Sequence, residues 1–354
     1  MTGTSLDGID CALVEIEGAG LDMKPRFIRG ISAGLGDLAP RLRALAEQKP
    51  MTAGQIAALS RELALLHARE VNAVLSGERC DLIAAHGQTV FHQPPVSWQL
   101  FNPAVLAHET GTDVVFDLRA ADLAAGGQGA PITPLADWVW LRSSSEPRAI
   151  LNLGGFANAT ILPRDDGSGS IASIRGMDIC ACNHVLDGVA RAALGRPYDE
   201  HGAAASAGRV DEAARDDLAA VLSRQASGAR SLGTGDEALG SGGWLDRWRG
   251  RLGAGDLCAS ACAAVGGAIR DALDRHGAAR VLVAGGGAMN RALLAYLGPR
   301  VERTDEHGLP GAYREAAEMA VLGALCADGV PITLPAVTHT STIVRRAGLW
   351  ALGA

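Results

Sequence analysis

Aromatic side chains are scarce, at 4% of the 354 residues. Ala and Gly are abundant instead, a composition that GC-rich coding sequence produces without a functional cause. Other absences exclude more. No run of about 18 apolar residues occurs, so no transmembrane helix is expected. The N-terminus lacks the basic-then-apolar pattern of a secretory leader. The seven cysteines are odd in number and irregular in spacing, which argues against a disulfide framework. A reducing cytoplasm is therefore the expected home. There is no excess of positive charge: 32 Lys and Arg stand against 39 Asp and Glu, a net charge of −7. That balance disfavours non-specific nucleic-acid binding, although it is compatible with a nucleotide in a local electropositive pocket. G-x-x-x-x-G-K-[ST] is absent, which excludes a P-loop kinase, and G-x-S-x-G is absent, so no hydrolase triad is supported.

What is present is an ordinary globular composition, 48% apolar and 20% charged, in a chain long enough for two domains. Three segments place an apolar, strand-like run beside a glycine turn: Gly3-Thr4-Ser5-Leu6-Asp7-Gly8-Ile9-Asp10, Leu151-Asn152-Leu153-Gly154-Gly155, and Val283-Ala284-Gly285-Gly286-Gly287. Glycine lets backbone N–H groups approach an anion closely. Three such loops in one chain suggest two similar half-molecules and a nucleotide. The alternative for the first loop is a tight turn capped by Asp and Ser.

Apolar spacing predicts strands over 9–17, 81–85, 114–116, 149–153 and 280–284. It predicts helices over 51–76, 135–141, 183–194, 209–223, 257–276, 290–297 and 312–327. A turn at Asp165–Gly169 suggests a hairpin into Ile171–Ile174. Gly126–Pro131 cannot be regular, and Ala226–Gly243 reads as an irregular Gly- and Ser-rich loop. Each half opens with strands and glycine turns and then alternates helices and strands, an α/β pattern of repeated topology.

Several residues are candidates for chemistry. In the first loop Thr4 and Ser5 supply hydroxyls for phosphate, while Asp7 and Asp10 suit Mg²⁺. Asp178 follows an expected strand and is placed as a general base, with a helix N-cap as the alternative; Asn183 is the better capping residue. Cys180, Cys182 and His184 form C-x-C-x-H without a fourth ligand at sensible spacing, so buried thiols are the better reading. His86, after a strand, reads as structural or substrate-contacting. Arg119 suits a substrate carboxylate, or else a salt bridge to Asp117 or Asp122. Glu315 and Glu318 share the late helix, and periodicity leaves open which of them faces solvent.

Taken together, the segments resemble the anhydro-N-acetylmuramic acid kinase family over nearly the whole chain. Thr2–Asp10 is similar to its S-G-T-S-x-D-G-x-D and His86–Thr89 to its H-G-Q-T. Asp117–Pro131 is similar to D-x-R-x-A-D-x-A-A-G-G-Q-G-A-P, and Leu151–Thr160 to L-N-L-G-G-x-A-N-x-T. Gly195–Asp199, Gly285–Asn290, Glu315–Ala320 and Leu334–Thr338 match further family stretches. The resemblance implies an α/β fold of two RNase H-like domains, of the sugar kinase, Hsp70 and actin type, with an interdomain nucleotide cleft. The expected domains are 1–130, with the C-terminal segment packing back onto it, and 131–354.

The resemblance also implies ATP and Mg²⁺ as cofactors, with metal ligands left unassigned. The implied reaction opens the 1,6-anhydro ring of the sugar with water and phosphorylates O6, a step in cell-wall recycling. It makes Asp178 the base, puts Arg119, Glu315 and His86 at the sugar, and gives Gly3, Thr4, Ser5, Asp7, Gly8, Asp10, Gly154, Gly155, Gly285, Gly286 and Gly287 to the nucleotide. The partners expected are a small amino sugar, no nucleic acid and no membrane; a homodimer is left open.

Four departures bear on this. The family's D-T-G-P-G-N reads Asp178-Ile179-Cys180-Ala181-Cys182-Asn183. If those glycines need positive φ, each cysteine costs about 1 kcal/mol or more. K-S-T-G-x-E is weakened to Leu232-Gly233-Thr234-Gly235-Asp236-Glu237, and L-G-D-P reads Leu100-Phe101-Asn102-Pro103. The family usually carries a strand ahead of the first loop, where this sequence has Met1; a start codon further upstream is the expected explanation. A diverged kinase, or a sugar- or nucleotide-binding paralogue impaired in catalysis, is the alternative function.

Overall fold

A computed structural model describes the chain except for residues 3–5, 7, 168–170, 227–231, 233–242, 345 and 354. In chain order the strands are β1 (Ile9–Glu17), β2 (Lys24–Ala33), β3 (Ile83–Ala85), β4 (Gln88–Gln93), β5 (Val96–Leu100), β6 (Val114–Phe116), β7 (Arg148–Leu153), β8 (Phe156–Leu162), β9 (Arg175–Ala181), β10 (Arg280–Ala284), β11 (Val301–Arg303) and β12 (Leu349–Ala351). They divide between two compact units. One comprises Met1–Leu141, Ile171–Ile174 and Gly308–Ala354; the other comprises Arg142–Ser170 and Arg175–His307.

In the first unit β1 and β2 pair antiparallel, β4 and β5 form a second hairpin, and β3 pairs parallel to β6. The C-terminal β12 returns to this unit and pairs antiparallel to β6, Leu349 opposite Phe116. The long helix Ala53–Leu75 starts where expected because Thr52 and Gln55 form a reciprocal capping box. Its Leu59, Leu63 and Val74 are buried, as the spacing predicts, and it packs on β1 and β2. Asn102 caps the helix Pro103–Thr110 by accepting from the Val105 amide at 3.4 Å, so the family's Asp is replaced here by an equally good cap.

Among the described residues β1 and β3 are not hydrogen-bonded to each other. A groove of about 580 Å³ lies beside both, lined by Cys11, Leu13, Ile83, Ala85 and Met319 among others. At its end Met1 accepts from the Asp10 amide at 3.0 Å and Thr2 donates to the His86 carbonyl at 3.2 Å.

The second unit holds a five-stranded sheet in the order β11-β10-β7-β8-β9. β11, β10 and β7 run parallel, while β8 and β9 complete an antiparallel meander. The helix Ala254–Arg275 buries a run of small residues, Cys258, Ala261, Cys262 and Ala264, against the helices Asn183–Leu194 and Glu212–Ala226. The latter begins three residues later than the spacing predicts, because Asp211 caps it by accepting from the Ala214 amide at 2.9 Å.

The expected hairpin into Ile171–Ile174 is corrected. Ile171–Ser173 is a 3-10 turn, and the strand paired through this region is Arg175–Ala181. The partner strand Phe156–Leu162 carries Asn158 and Thr160 among apolar residues, which blurred its pattern in sequence. Residues 168–169 of the expected turn, and nearly all of the expected loop over 226–243, lie outside the described residues.

Candidate functional site

The first unit gathers polar groups where β3 ends. His86, the residue after β3, is 5% exposed. Its Nδ1 faces the Thr2 carbonyl at 3.3 Å and its Nε2 faces Arg119 Nε at 3.1 Å. A carbonyl can only accept and a guanidinium can only donate, so the ring is neutral, with the proton on Nδ1. Burial and then the Arg119 charge push its pKa down to about 3.

Arg119 is held from a second side, donating from Nη1 to the Gly129 carbonyl at 2.7 Å. Burial lowers it to about 10 while Glu315 and Asp117 oppose that fall, so the guanidinium stays charged at neutral pH. No ion pair joins it to Asp117 or Asp122 among the described residues. Asp122, fully buried, instead accepts from the Gly129 amide and the Thr338 hydroxyl, both at 2.7 Å. The dense Asp117–Pro131 motif thereby gains a physical meaning: Arg119 and Asp122 clasp the same glycine from its two backbone groups. Asp117 itself sits at φ 50°, a left-handed conformation that Asp tolerates.

The late helix, Arg314–Ala327, resolves the two glutamates. Glu315 is exposed in the first turn. Glu318 is buried and accepts from Arg314 Nη1 at 2.5 Å, beside Asp137, which accepts from the same nitrogen at 2.9 Å. Of the first glycine loop, Gly3, Thr4, Ser5 and Asp7 lie outside the described residues. Gly8 packs on the Ala33 carbonyl, and Asp10, in β1, accepts from the Ser32 hydroxyl at 2.6 Å.

In the second unit the ends of β7 and β10 lie side by side, with Asn152 opposite Ala284. Gly285 follows at φ 84°, and a Cβ there would stand 2.8 Å from Asn152 Oδ1 and 2.9 Å from the Leu153 carbonyl. Gly286–Met289 then makes one 3-10 turn. Gly285→Ala is expected to lower stability by about 1–2 kcal/mol through the left-handed backbone.

Gly154 and Gly155 have a different role from Gly285. The Gly155 carbonyl accepts from the amides of Cys182 (2.8 Å) and His184 (3.2 Å), and the Gly154 carbonyl from that of Asn183 (3.0 Å). The first amides of the helix Asn183–Leu194 are thus taken by the glycine turn. Asn183 is not the cap: it is the helix's first residue, and its Nδ2 donates to the Leu153 carbonyl at 3.1 Å. A polar residue two positions past an aspartate-bearing strand was the only signal of that tether.

Asp178 is not at a strand end but within β9. The pairing slips by one residue there, Ala157 opposite Cys180 and Asn158 opposite Asp178, so Ile179 is a bulge residue. A bulge breaks the alternation and re-aims the side chain beside it. Asp178 Oδ2 accepts from the Leu232 amide at 2.8 Å. Leu232 is the described member of the altered K-S-T-G-x-E stretch; residues 233–237 lie outside the described set.

The cost expected of Cys180 and Cys182 does not arise. Neither has positive φ, Cys182 sitting at −116°. Both thiols are buried; burial pushes Cys180 up to about 12 and Cys182 well above its ordinary value, so they are inert.

The model of the family "Anhydro-N-acetylmuramic acid kinase" matches residues 1–349. The chain belongs to the anhydro-N-acetylmuramic acid kinase family. Curated relatives of that name include one from Gloeobacter violaceus, 35% identical over 97% of this chain and 95% of its own length. Another, from Xanthomonas campestris pv. campestris, is 35% identical over 96% and 92%. The chain is accordingly an enzyme of the phosphotransferase class, and its fold is α/β. Similar solved structures include the ROK hexokinase from Thermus thermophilus, at 16% identity, TM-score 0.33, over 90% of this chain and 99% of that one. Component A of the (R)-2-hydroxyglutaryl-CoA dehydratase of Acidaminococcus fermentans matches at 12% identity, TM-score 0.39, over 89% and 98%. A likeness this loose places no residue. Among the described residues no helix is long and apolar enough to cross a membrane, and no group of three or more His, Cys, Asp or Glu is placed to hold a metal ion.

Proposed function

We propose that the protein opens the 1,6-anhydro ring of anhydro-N-acetylmuramic acid with water and transfers the γ-phosphoryl group of ATP to O6. The product is N-acetylmuramic acid 6-phosphate. The observation that carries this finer reading is Asp178: a carboxylate on a bulge of β9, one oxygen held by the Leu232 amide. It takes a proton from water, whose oxygen bonds to the anomeric carbon. The bond from that carbon to O6 breaks, and O6 keeps the electron pair and attacks the phosphoryl group. Arg119, fixed by His86 and Gly129, presents its remaining N–H groups to the sugar's carboxylate, and Glu315 to its polar edge.

The residues present fit MgATP. The turn at Gly285–Gly287 is assigned to the phosphates; a Cβ at Gly285 would meet Asn152 Oδ1 and the Leu153 carbonyl, so the turn can form only with glycine there. Asp10 offers a hard carboxylate oxygen, and Mg²⁺ needs only one or two carboxylates besides phosphates and water. The ion would neutralise charge on the phosphates. Gly154 and Gly155 stay assigned to the nucleotide as the turn that fixes Asn183 and the helix start behind that cradle.

The test is ADP release in the presence of anhydro-N-acetylmuramic acid, run in ¹⁸O water. The expected result is sugar-dependent ADP, with label on the anomeric hydroxyl and none in the phosphate. Binding of sugar and ATP without ADP release would overturn the kinase in favour of a binding protein.

A further inference from the structure

Two strand edges of the first unit flank the groove between β1 and β3, and neither edge has a partner strand there among the described residues. β1 pairs only with β2, and β3 only with β6. Asp10 to Ile16 of β1 line one wall, and Leu82 to Ala85 line another. At about 3.3 Å per residue the β1 wall is about 20 Å long. Ile83 donates its amide toward β6, to the Asp113 carbonyl at 2.9 Å. The alternation of the ladder therefore turns the N–H and C=O of Ala84 toward the groove. Asp10 turns its own groups toward Met1, so Ala12 and Val14, two and four residues on, face the groove from β1.

Met1 and Thr2 already lie at the end of this groove as a strand would. Met1 and Asp10 exchange both bonds: the Met1 amine donates to the Asp10 carbonyl at 2.5 Å, and the Asp10 amide donates to the Met1 carbonyl at 3.0 Å. That is a hydrogen-bonded antiparallel pair. Thr2 turns the other way and donates its amide to the His86 carbonyl at 3.2 Å, the slanted bond of a parallel pair with β3. Successive residues thus bond to opposite edges, which is the behaviour of a strand lying between them.

Continued backward, the residue before Met1 falls between Cys11 and Ala85. The second falls between Ala12 and Ala84, and the third between Leu13 and Ile83. The β1 and β3 registers are set by different bonds, yet they agree on the faces. Cys11 and Leu13 pack with Val71 and Val74 of the helix Ala53–Leu75, and Ile83 and Ala85 pack with Ala68 and Val71 of that helix. Ala84 faces the other way, under Gly323 of the helix Arg314–Ala327. A small apolar ligand in the groove would leave the edge N–H and C=O groups unpaired. A strand from another molecule would have to end against the Met1 amine, whose burial already lowers its pKa.

We propose that the groove seats a strand made of the chain's own residues immediately preceding Met1, antiparallel to β1 and parallel to β3. It joins the two small sheets in the order β2, β1, new strand, β3, β6, β12. It also leads straight into the first glycine loop, so the loop's entry and its exit through β1 belong to one sheet. Helices cover both faces, so the strand is apolar throughout rather than alternating. Its first and third residues before Met1 fill the side toward Val71 and Val74. Its second is small, because the helix above lies close: a Cβ on Gly323 would stand 2.6 Å from the Ala84 Cβ. None of this depends on the proposed reaction.

Two measurements on the protein isolated from its own cells test it. The first is intact mass with N-terminal sequencing. The expected result is further apolar residues before Met1, with a small one in the second position. The second is amide hydrogen exchange read by NMR. The amides of Ala12, Val14 and Ala84 should lose their fast exchange and become as slow as those of Ile83 and Ala85, which pair with β6. A chain that begins at Met1 overturns the proposal. If its three amides are nevertheless protected, a second copy or another protein fills the groove instead. A longer chain whose three amides exchange fast overturns it too, because the added residues then lie elsewhere. A bulky or charged second residue overturns the register.

Discussion

Asp178→Asn should reduce kcat/KM for the sugar by roughly 10²–10⁴-fold, the usual share of a positioned general base, with little change in thermal midpoint. The structure argues for both halves of that result. Asparagine keeps an oxygen that accepts from the Leu232 amide, so the tether at 2.8 Å survives. The β9 ladder is made by backbone groups and does not depend on the carboxylate. What asparagine lacks is basicity. The neighbouring bulge residue Ile179 is 1% exposed, and Cys180 and Cys182 are inert, so no other group at this point of the strand can take the proton. Full activity in Asp178→Asn would remove the base assignment; loss of activity together with the fold would show instead that the tether is structural. Circular dichroism alongside the kinetics separates the two.

The sequence was most legible where a local rule acts alone. Apolar spacing over 51–76 marked a 23-residue helix, and the strands at β7 and β10 were visible as short apolar runs ending in glycine. It was least legible where a residue's role depends on a distant partner. Asp122 is separated from Thr338 by 216 positions, and no spacing rule connects them. Asp178 read as a strand end because its neighbours break the alternation; the cause is a bulge, which needs the partner strand β8 to be seen. The cysteines at 180 and 182 looked strained only by comparison with glycines, and neither takes the positive φ that would have required one. The glycines themselves divided. Gly285 sits where only glycine fits, while Gly154 and Gly155 serve by their carbonyls, a use that the same residue letters do not distinguish.

The buried triad of Asp137, Arg314 and Glu318 should be the most sensitive part of the first unit. Arg314→Met is expected to cost about 3–5 kcal/mol, because it leaves buried acidic groups without their cation. Replacing all three by apolar residues of similar volume should recover most of that loss, since the desolvation of the ions is then avoided as well. Urea denaturation of the single and triple variants checks both.

The triad also sets a pH dependence with a definite sign. Burial first, and the Asp137 carboxylate with it, hold Glu318 well above its ordinary 4.5 despite Arg314. The folded state therefore binds a proton that the unfolded state releases, and the stability this contributes, complete below 4.5, is lost as pH rises toward the folded value. His67 and His86 act oppositely: burial pushes both from 6.5 to about 3, so their contribution is present above 6.5 and lost as pH falls. The two effects cancel in part between 4.5 and 6.5; above 6.5 the histidines are constant, and the buried Met1 amine, lowered from 8.0, adds a rise with pH that a change at Glu318 leaves in place, so Glu318 is read from the difference between variant and wild type. Glu318→Gln, neutral at every pH, should flatten the decline of stability above pH 6.5 relative to the wild type. An unchanged slope would mean that Glu318 is already ionised in the folded protein and that Arg314 neutralises both carboxylates. In that case Arg314→Met should cost more at pH 8 than at pH 5, and the urea midpoints at those two pH values decide between the arrangements.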